Sequence, residues 1–198
     1  MTSRIYEERL GTDRMLPLIF RMAMPAVAAQ LVNLLYSIVD RIYIGHIPGI
    51  GTDALAGIGV TSSIIILISA FSAIVGGGGA PLAAIALGQG RRERASRILG
   101  NGAVLLVGFT VVTSATAYLF MTPILTFAGA SAHTIGYARD YLSVYLAGTL
   151  FVELSVGLNT FINTQGRPAI AMWSVIIGAV LNIGLDPLLI FGFHMGVK

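Results

Sequence analysis

The chain has 198 residues, 56% of them hydrophobic and only 11% charged, with a net charge of +3. Soluble domains are about 25% charged and 45–50% apolar, so these figures argue against a water-soluble globular domain, and disordered chains are poorer still in apolar residues. Without cysteine there is no disulfide framework, thiolate metal site or cysteine nucleophile.

A membrane helix needs about 20 mostly apolar residues. Five runs meet that need, at about 16–44, 54–87, 98–120, 141–163 and 169–193. The expected fold class is therefore all-α, a polytopic membrane helix bundle. The first run, of roughly 29 residues, would rise about 43 Å against a hydrocarbon core of about 30 Å, so it must tilt, bend or project. Pro25 lies inside it and removes one backbone hydrogen bond, which makes it a candidate hinge. Residues 1–15 are not expected to form a cleavable signal. They carry Glu7, Glu8 and Asp13, and the run that follows is too long.

The connections are short. Residues 88–97 read GQGRRERASR, residues 164–168 read TQGRP, and 121–140 holds Pro123, Gly129 and His133. Their bases set the expected orientation. Arg4, Arg9, Arg14, Arg21, Arg91, Arg92, Arg94, Arg97 and Arg167 fall on one side, and Arg41, Arg139 and Lys198 on the other. This nine-to-three asymmetry predicts a cytoplasmic N-terminus in the inner membrane. Bases clustered between apolar runs suit membrane orientation, and no nucleic-acid partner is expected. The run of Gly76-Gly77-Gly78-Gly79 lacks the Lys-Ser/Thr ending of a phosphate loop, and it is read as close helix packing or a bend near Pro81. His46, His133 and His194 share no metal-ligand spacing, and no serine sits in a nucleophile elbow. Neither an enzyme, a cofactor nor a structural metal is expected.

Three carboxylates fall within apolar runs: Asp40, Glu153 and Asp186. A charge at a helix centre costs about 2.5–3.5 kcal/mol on insertion scales, so such residues are usually functional. With the N-terminus inside, the first and fifth runs both point outward. Asp40 lies shortly before Gly45 and Asp186 shortly before Gly192, which puts both about 8–9 Å from the outer end. Tyr36, Ser37 and Asn33 precede Asp40 at helical spacing. Asn182 and Gly178 precede Asp186 in the same way. Tyr141 opens the fourth run at that outer level. These residues outline a hydrated pocket. Burial favours the neutral form of a carboxyl and a second carboxylate adds to the effect, so the pair can take up and release a proton. The bland alternative for Asp40 is an interfacial pairing with Arg41. Glu153, with Thr149 and Thr160 on roughly its face, either lines the cavity or hydrogen-bonds a neighbouring helix. Asn163 reads as helix-end chemistry.

The segments Tyr36-Ser37-Ile38-Val39-Asp40-Arg41-Ile42-Tyr43-Ile44-Gly45-His46 and Ala54-Leu55-Ala56-Gly57-Ile58-Gly59 resemble the first helix and second-helix start of the multidrug and toxic compound extrusion (MATE) family. Gly178-Ala179-Val180-Leu181-Asn182-Ile183-Gly184-Leu185-Asp186-Pro187, followed by Ile190-Phe191-Gly192, resembles its fifth helix. Gln165-Gly166-Arg167-Pro168 matches the preceding loop. The likeness runs through nearly the whole chain and points to the prokaryotic branch. It implies two six-helix bundles, of which residues 1–198 supply five spanning helices of the N-terminal lobe, with the C-terminal bundle absent. It further implies a cation-coupled antiporter that exports organic cations or amphipathic drugs across the lipid bilayer by alternating access. Asp40, Asp186 and Asn182 would couple the ion, a proton or alternatively sodium held by the same three. Tyr36, Tyr141, Asn159 and Glu153 would line the substrate cavity, and Pro25 would be the hinge. The rival readings are a lipid-linked sugar flippase of the same superfamily and a truncated, non-transporting membrane subunit. A flippase is expected to favour basic groups, whereas the cavity charges here are acidic.

Overall fold

The computed structural model describes residues 15–47 and 49–188, and for Leu18, Arg21, Met22, Asp186 and Pro187 the backbone alone. Among the described residues six helices follow one another: α1 (Met15–Gly45), α2 (Gly51–Gly88), α3 (Arg92–Leu119), α4 (Met121–Phe127), α5 (Ile135–Thr164) and α6 (Pro168–Pro187). No strand occurs among the described residues. Five of the helices are long and apolar enough to cross a membrane. Arg4, Arg9, Arg14, the expected end of the fifth span at 193 and Lys198 lie outside the described residues.

Each expected span is a helix, with three differences at the edges. Helix α3 begins at Arg92, six residues before the apolar run. The added turn is amphiphilic chain in water, held by an exposed Glu93–Arg97 pair of 2.6 Å at i,i+4 spacing. Helix α5 likewise begins at Ile135, ahead of its apolar run. The stretch 121–140, read as a loop, contains α4, whose Met121 and Leu125 are buried. The added first turns and the seven-residue α4 are short, partly polar stretches that a hydropathy window passes over.

Helices α2, α3 and α5 form a tightly packed trio, and α1 packs mainly along α6. Matched contacts give the directions. A Cβ placed on Gly57 would meet Ala138, and one on Gly76 would meet Thr160, so α2 and α5 run parallel. A Cβ on Gly157 would come within 2.6 Å of Leu106, and one on Gly102 would meet Phe161, so α3 runs antiparallel to them. At one end of the trio Ile64, Ile68, Met121, Leu125, Leu142 and Leu146 form the main core cluster. At the other end Ala80, Ala83, Ala86 and Ala95 pack around Phe161. Helix α1 is tied to the first end, where Ile44 meets Ala54 and Ile58.

The glycine run resolves into two faces. Gly76 and Gly79 point at α5, where a Cβ would stand 2.7 Å from Thr160 Oγ1 and 2.8 Å from Phe161 Cζ. Gly77 and Gly78 face open space. Small residues let two membrane helices approach closely, so this run is a packing surface. Helix α2 continues through it to Gly88, with Pro81 inside the helix. The outer surface of the bundle carries Leu67, Leu82, Val104 and Trp173, as lipid contact requires.

Candidate functional site

Helices α1, α5 and α6 enclose a groove of about 640 Å³. Helix α1 lines it with Ala26, Ala29, Gln30, Asn33 and Tyr36, a stripe at three- and four-residue spacing. Helix α5 contributes Val152, Ser155, Val156, Asn159 and Asn163, and α6 contributes Ser174, Val175, Gly178 and Asn182. The stripes alternate apolar with polar, uncharged side chains. Polar groups on a membrane helix must face protein or water, and here three helices turn theirs to one space.

Asp40 lies one turn beyond Tyr36 on the α1 stripe and is half-buried. Arg41 lies within electrostatic reach, and among the described residues no ion pair of the two occurs. Asp186 follows Asn182 by one turn on α6, in the last turn of the described helix; its side chain lies outside the described residues. Helix α1 turns back into α2 where Ile44 meets Ala54, and α6 turns back from α5 where Asn159 bonds Ala171 and Ser174. Since α2 and α5 are parallel, α1 and α6 run the same way, and both aspartate positions follow the groove-lining Tyr36 and Asn182 toward one end.

The other expected site residues divide. Tyr36, Asn159 and Asn182 line the groove. Asn159 also braces it, because its Nδ2 donates to Ser174 Oγ at 2.8 Å and to the Ala171 carbonyl at 3.2 Å. Tyr141 is not among the lining residues. Its ring packs against the Ile44–Ala54–Ile58 cluster, within electrostatic reach of Asp40, Tyr36 and Tyr145. Pro25 sits inside α1, one residue before the groove-lining Ala26, and the helix runs through it without a break.

Of the two readings of Glu153, lining the cavity or hydrogen-bonding a neighbouring helix, the structure has the second: it does not line the groove, points between helices and is only 1% exposed. Ser69 Oγ donates to its Oε1 at 2.7 Å, and Ser72 Oγ donates to its Oε2. The physical reason is helical phase. Val152, Ser155, Val156 and Asn159 define the groove face of α5, whereas Glu153 shares with Thr149 and Gly157 a stripe about 110° further round the helix, which faces α2 and α3.

Sequence reasoning missed Gln30, Ser155 and Ser174 as lining residues and set Asn163 aside as helix-end chemistry. A signal existed for Gln30, which continues the polar spacing of Asn33 and Tyr36 down the same face. Ser174 carried none, because a lone serine in an apolar run more often hydrogen-bonds its own backbone. It does that too, to Ala171.

The family model MatE matches residues 25–188, most of the chain. The chain belongs to the MatE family. This MatE chain is 26% identical to the multidrug export protein MepA of Staphylococcus haemolyticus, over 88% of its own length and 38% of MepA. It is 28% identical to the FAD transporter of Shewanella oneidensis, with the same shares. Among solved structures it superimposes on the MATE multidrug transporter DinF-BH, with TM-score 0.89 and 35% identity. That match covers 96% of this chain and 42% of DinF-BH. The chain thus spans about two fifths of the relatives it matches. It is a multi-pass membrane protein of a transporter family.

Proposed function

We propose that this chain is the N-terminal lobe of a cation-coupled antiporter, with a second bundle completing the transporter. The observation that carries the reading is the groove. Polar side chains on three apolar helices converge on it, and Asp40, without an ion pair among the described residues, continues its α1 stripe. Its described lining holds no base, which suits an organic cation or a neutral amphipath. The likeness to MepA and DinF-BH supports export of such compounds.

Coupling requires that ion and cargo bind with opposed preference, an interaction free energy of typically about 1–3 kcal/mol. Asp40 supplies the means. When ionised it attracts a cation; when protonated, or when sodium sits beside it, that attraction is gone. Asp186 and Asn182 are assigned to the same ion site from their register on α6. Bending at Pro25 is assigned to the change between access states. Arg91, Arg92, Arg94, Arg97 and Arg167 cluster at the α2–α3 and α5–α6 connections, which supports a cytoplasmic placement of that end and of the N-terminus.

The test is efflux of a fluorescent organic cation from liposomes holding the full transporter. Asp40→Asn and Asp186→Asn are each expected to abolish gradient-driven efflux while the protein stays folded. Dependence on sodium at fixed pH assigns sodium coupling, and efflux without sodium assigns proton coupling. Full-rate export by both variants would overturn the site assignment. The relationship to a flavin dinucleotide transporter favours one further comparison, competition by FAD. An anionic cargo predicts that FAD competes and that the organic cation does not.

A further inference from the structure

Helix α3 carries one polar residue that the bundle does not explain. Its buried stripe of Ala95, Gly102, Leu106, Thr110 and Ala117 packs inward on α2 and α5. The opposite face, at about 100° per residue, holds Arg94, Arg97, Asn101, Val104, Gly108 and Val111. All six are exposed, Val104 by 71%. Asn101 is the anomaly among them. A polar group on a membrane helix needs protein or water to face, yet this carboxamide points outward. Among the described residues it makes no hydrogen bond.

Register gives its depth. Asn101 lies four residues inside Arg97, about 6 Å along the axis. The headgroup zone of a bilayer is about 5–8 Å thick on each side of the hydrocarbon core. With Arg97 at the outer edge of that zone, Asn101 stands at its inner edge, the depth of the lipid ester carbonyls. Val104, Val111 and Val112 follow where acyl chains begin. The charge above Asn101 is one-sided, with Arg91, Arg92, Arg94 and Arg97 against Glu93. Arg91 and Arg94 have no ion pair among the described residues. Arg97 pairs with Glu93, but both side chains are largely exposed, so the pair is weak and leaves guanidinium donors to spare. Membrane orientation accounts for the arginines; it does not account for Asn101.

We propose that this face of α3 binds an anionic phospholipid, whose phosphate is held by Arg94 and Arg97 and whose glycerol ester is held by Asn101. The arginine fork matches phosphate oxygens, and bases clustered at the edge of a span attract anionic headgroups. Asn101 Nδ2 donates to an ester carbonyl, the partner that the protein does not give it. Below, a Cβ on Gly108 would meet no atom within 4 Å, so an acyl chain can lie close against the helix. The inference needs only a chain that spans the membrane. Neither the cargo nor the coupling ion enters it, and it holds for whichever leaflet the α2–α3 connection faces.

The experiment is quenching of tryptophan fluorescence by brominated lipids, in vesicles holding the full transporter with its other tryptophans replaced. Val104→Trp puts the reporter below Asn101, and Leu67→Trp on α2 is the control. Brominated phosphatidylglycerol is expected to quench Val104→Trp in preference to brominated phosphatidylcholine, with no such preference at Leu67→Trp. Arg94→Ala is expected to lower the preference about fivefold, the usual weight of one base near an anionic surface. Asn101→Leu changes no charge and is expected to lower it as well. Equal quenching by the two lipids at Val104→Trp, or an equal preference at both reporters, would overturn the site. Quenching by neither lipid would overturn it too, since a second bundle or a second copy would then cover the face. A preference that Asn101→Leu leaves unchanged would reduce the effect to surface charge alone and likewise overturn it. Should Arg94→Ala fail to insert, the charge-neutral Asn101→Leu carries the test by itself.

Discussion

Asn159 on α5 donates to Ser174 Oγ on α6 at 2.8 Å, and to the Ala171 carbonyl at 3.2 Å. These two bonds fix the lip of the groove where consecutive helices turn back on one another across Arg167 and Pro168. The Asn159 side chain is therefore both a groove surface and a brace.

Asn159→Ala is expected to lower stability by about 1 kcal/mol, the usual net worth of a hydrogen bond. Ser174→Ala should cost less, because Asn159 keeps its bond to Ala171. The double variant should fall short of the sum, since the two share one bond. Thermal unfolding in detergent measures all three, and strict additivity would show that the pair is not coupled.

The four adjacent glycines are expected to respond in opposite ways. Gly76→Ala and Gly79→Ala drive a methyl against Thr160 and Phe161, with overpacking costs of about 1–3 kcal/mol. Gly77→Ala and Gly78→Ala meet no atom within 4 Å and should be neutral or stabilise by up to about 1 kcal/mol. Equal effects at all four positions would contradict the two-faced packing.

The chain has no cysteine, so single cysteines report position cleanly. Arg94→Cys lies in the first turn of α3, and His133→Cys precedes α5. Membrane-impermeant labelling is expected to reach them from opposite sides, Arg94→Cys from the cytoplasm. Labelling of both from one side would reject the orientation.

Pro25→Ala restores the missing backbone N–H within α1 and should favour a straight helix. Spin-label distances across Pro25 are expected to vary less with pH in the variant, and efflux by the full transporter to fall. Unchanged distances and unchanged efflux together would remove Pro25 from the conformational step.

Much of the architecture is legible in the chain itself. Runs of apolar residues as long as a bilayer is thick leave helices as the spanning structure, because lipid offers no partner to an open backbone group. The polar positions on α1 and α6 share a face by spacing alone, so the stripe from Asn33 through Tyr36 to Asp40 is readable without coordinates. Sequence also sets the charge asymmetry of the connections. It does not mark where helices α3 and α5 begin, because their first turns are polar and stabilised locally, as by Glu93 and Arg97.

Tertiary structure decided which side each polar residue serves. Glu153 and Asn159 lie six residues apart on one helix, yet one is sealed against α2 and the other opens on the groove. Periodicity gives their relative angle and not the identity of the neighbour on each side. Ser69 and Ser72 lie 84 and 81 residues before Glu153, and nothing local to either segment announces the pairing. Hydropathy counts each residue's cost of leaving water, while the hydrogen-bond partner that offsets it comes from another helix. Only the packing of α2 on α5, through Gly57, Gly76 and Gly79, supplies that partner.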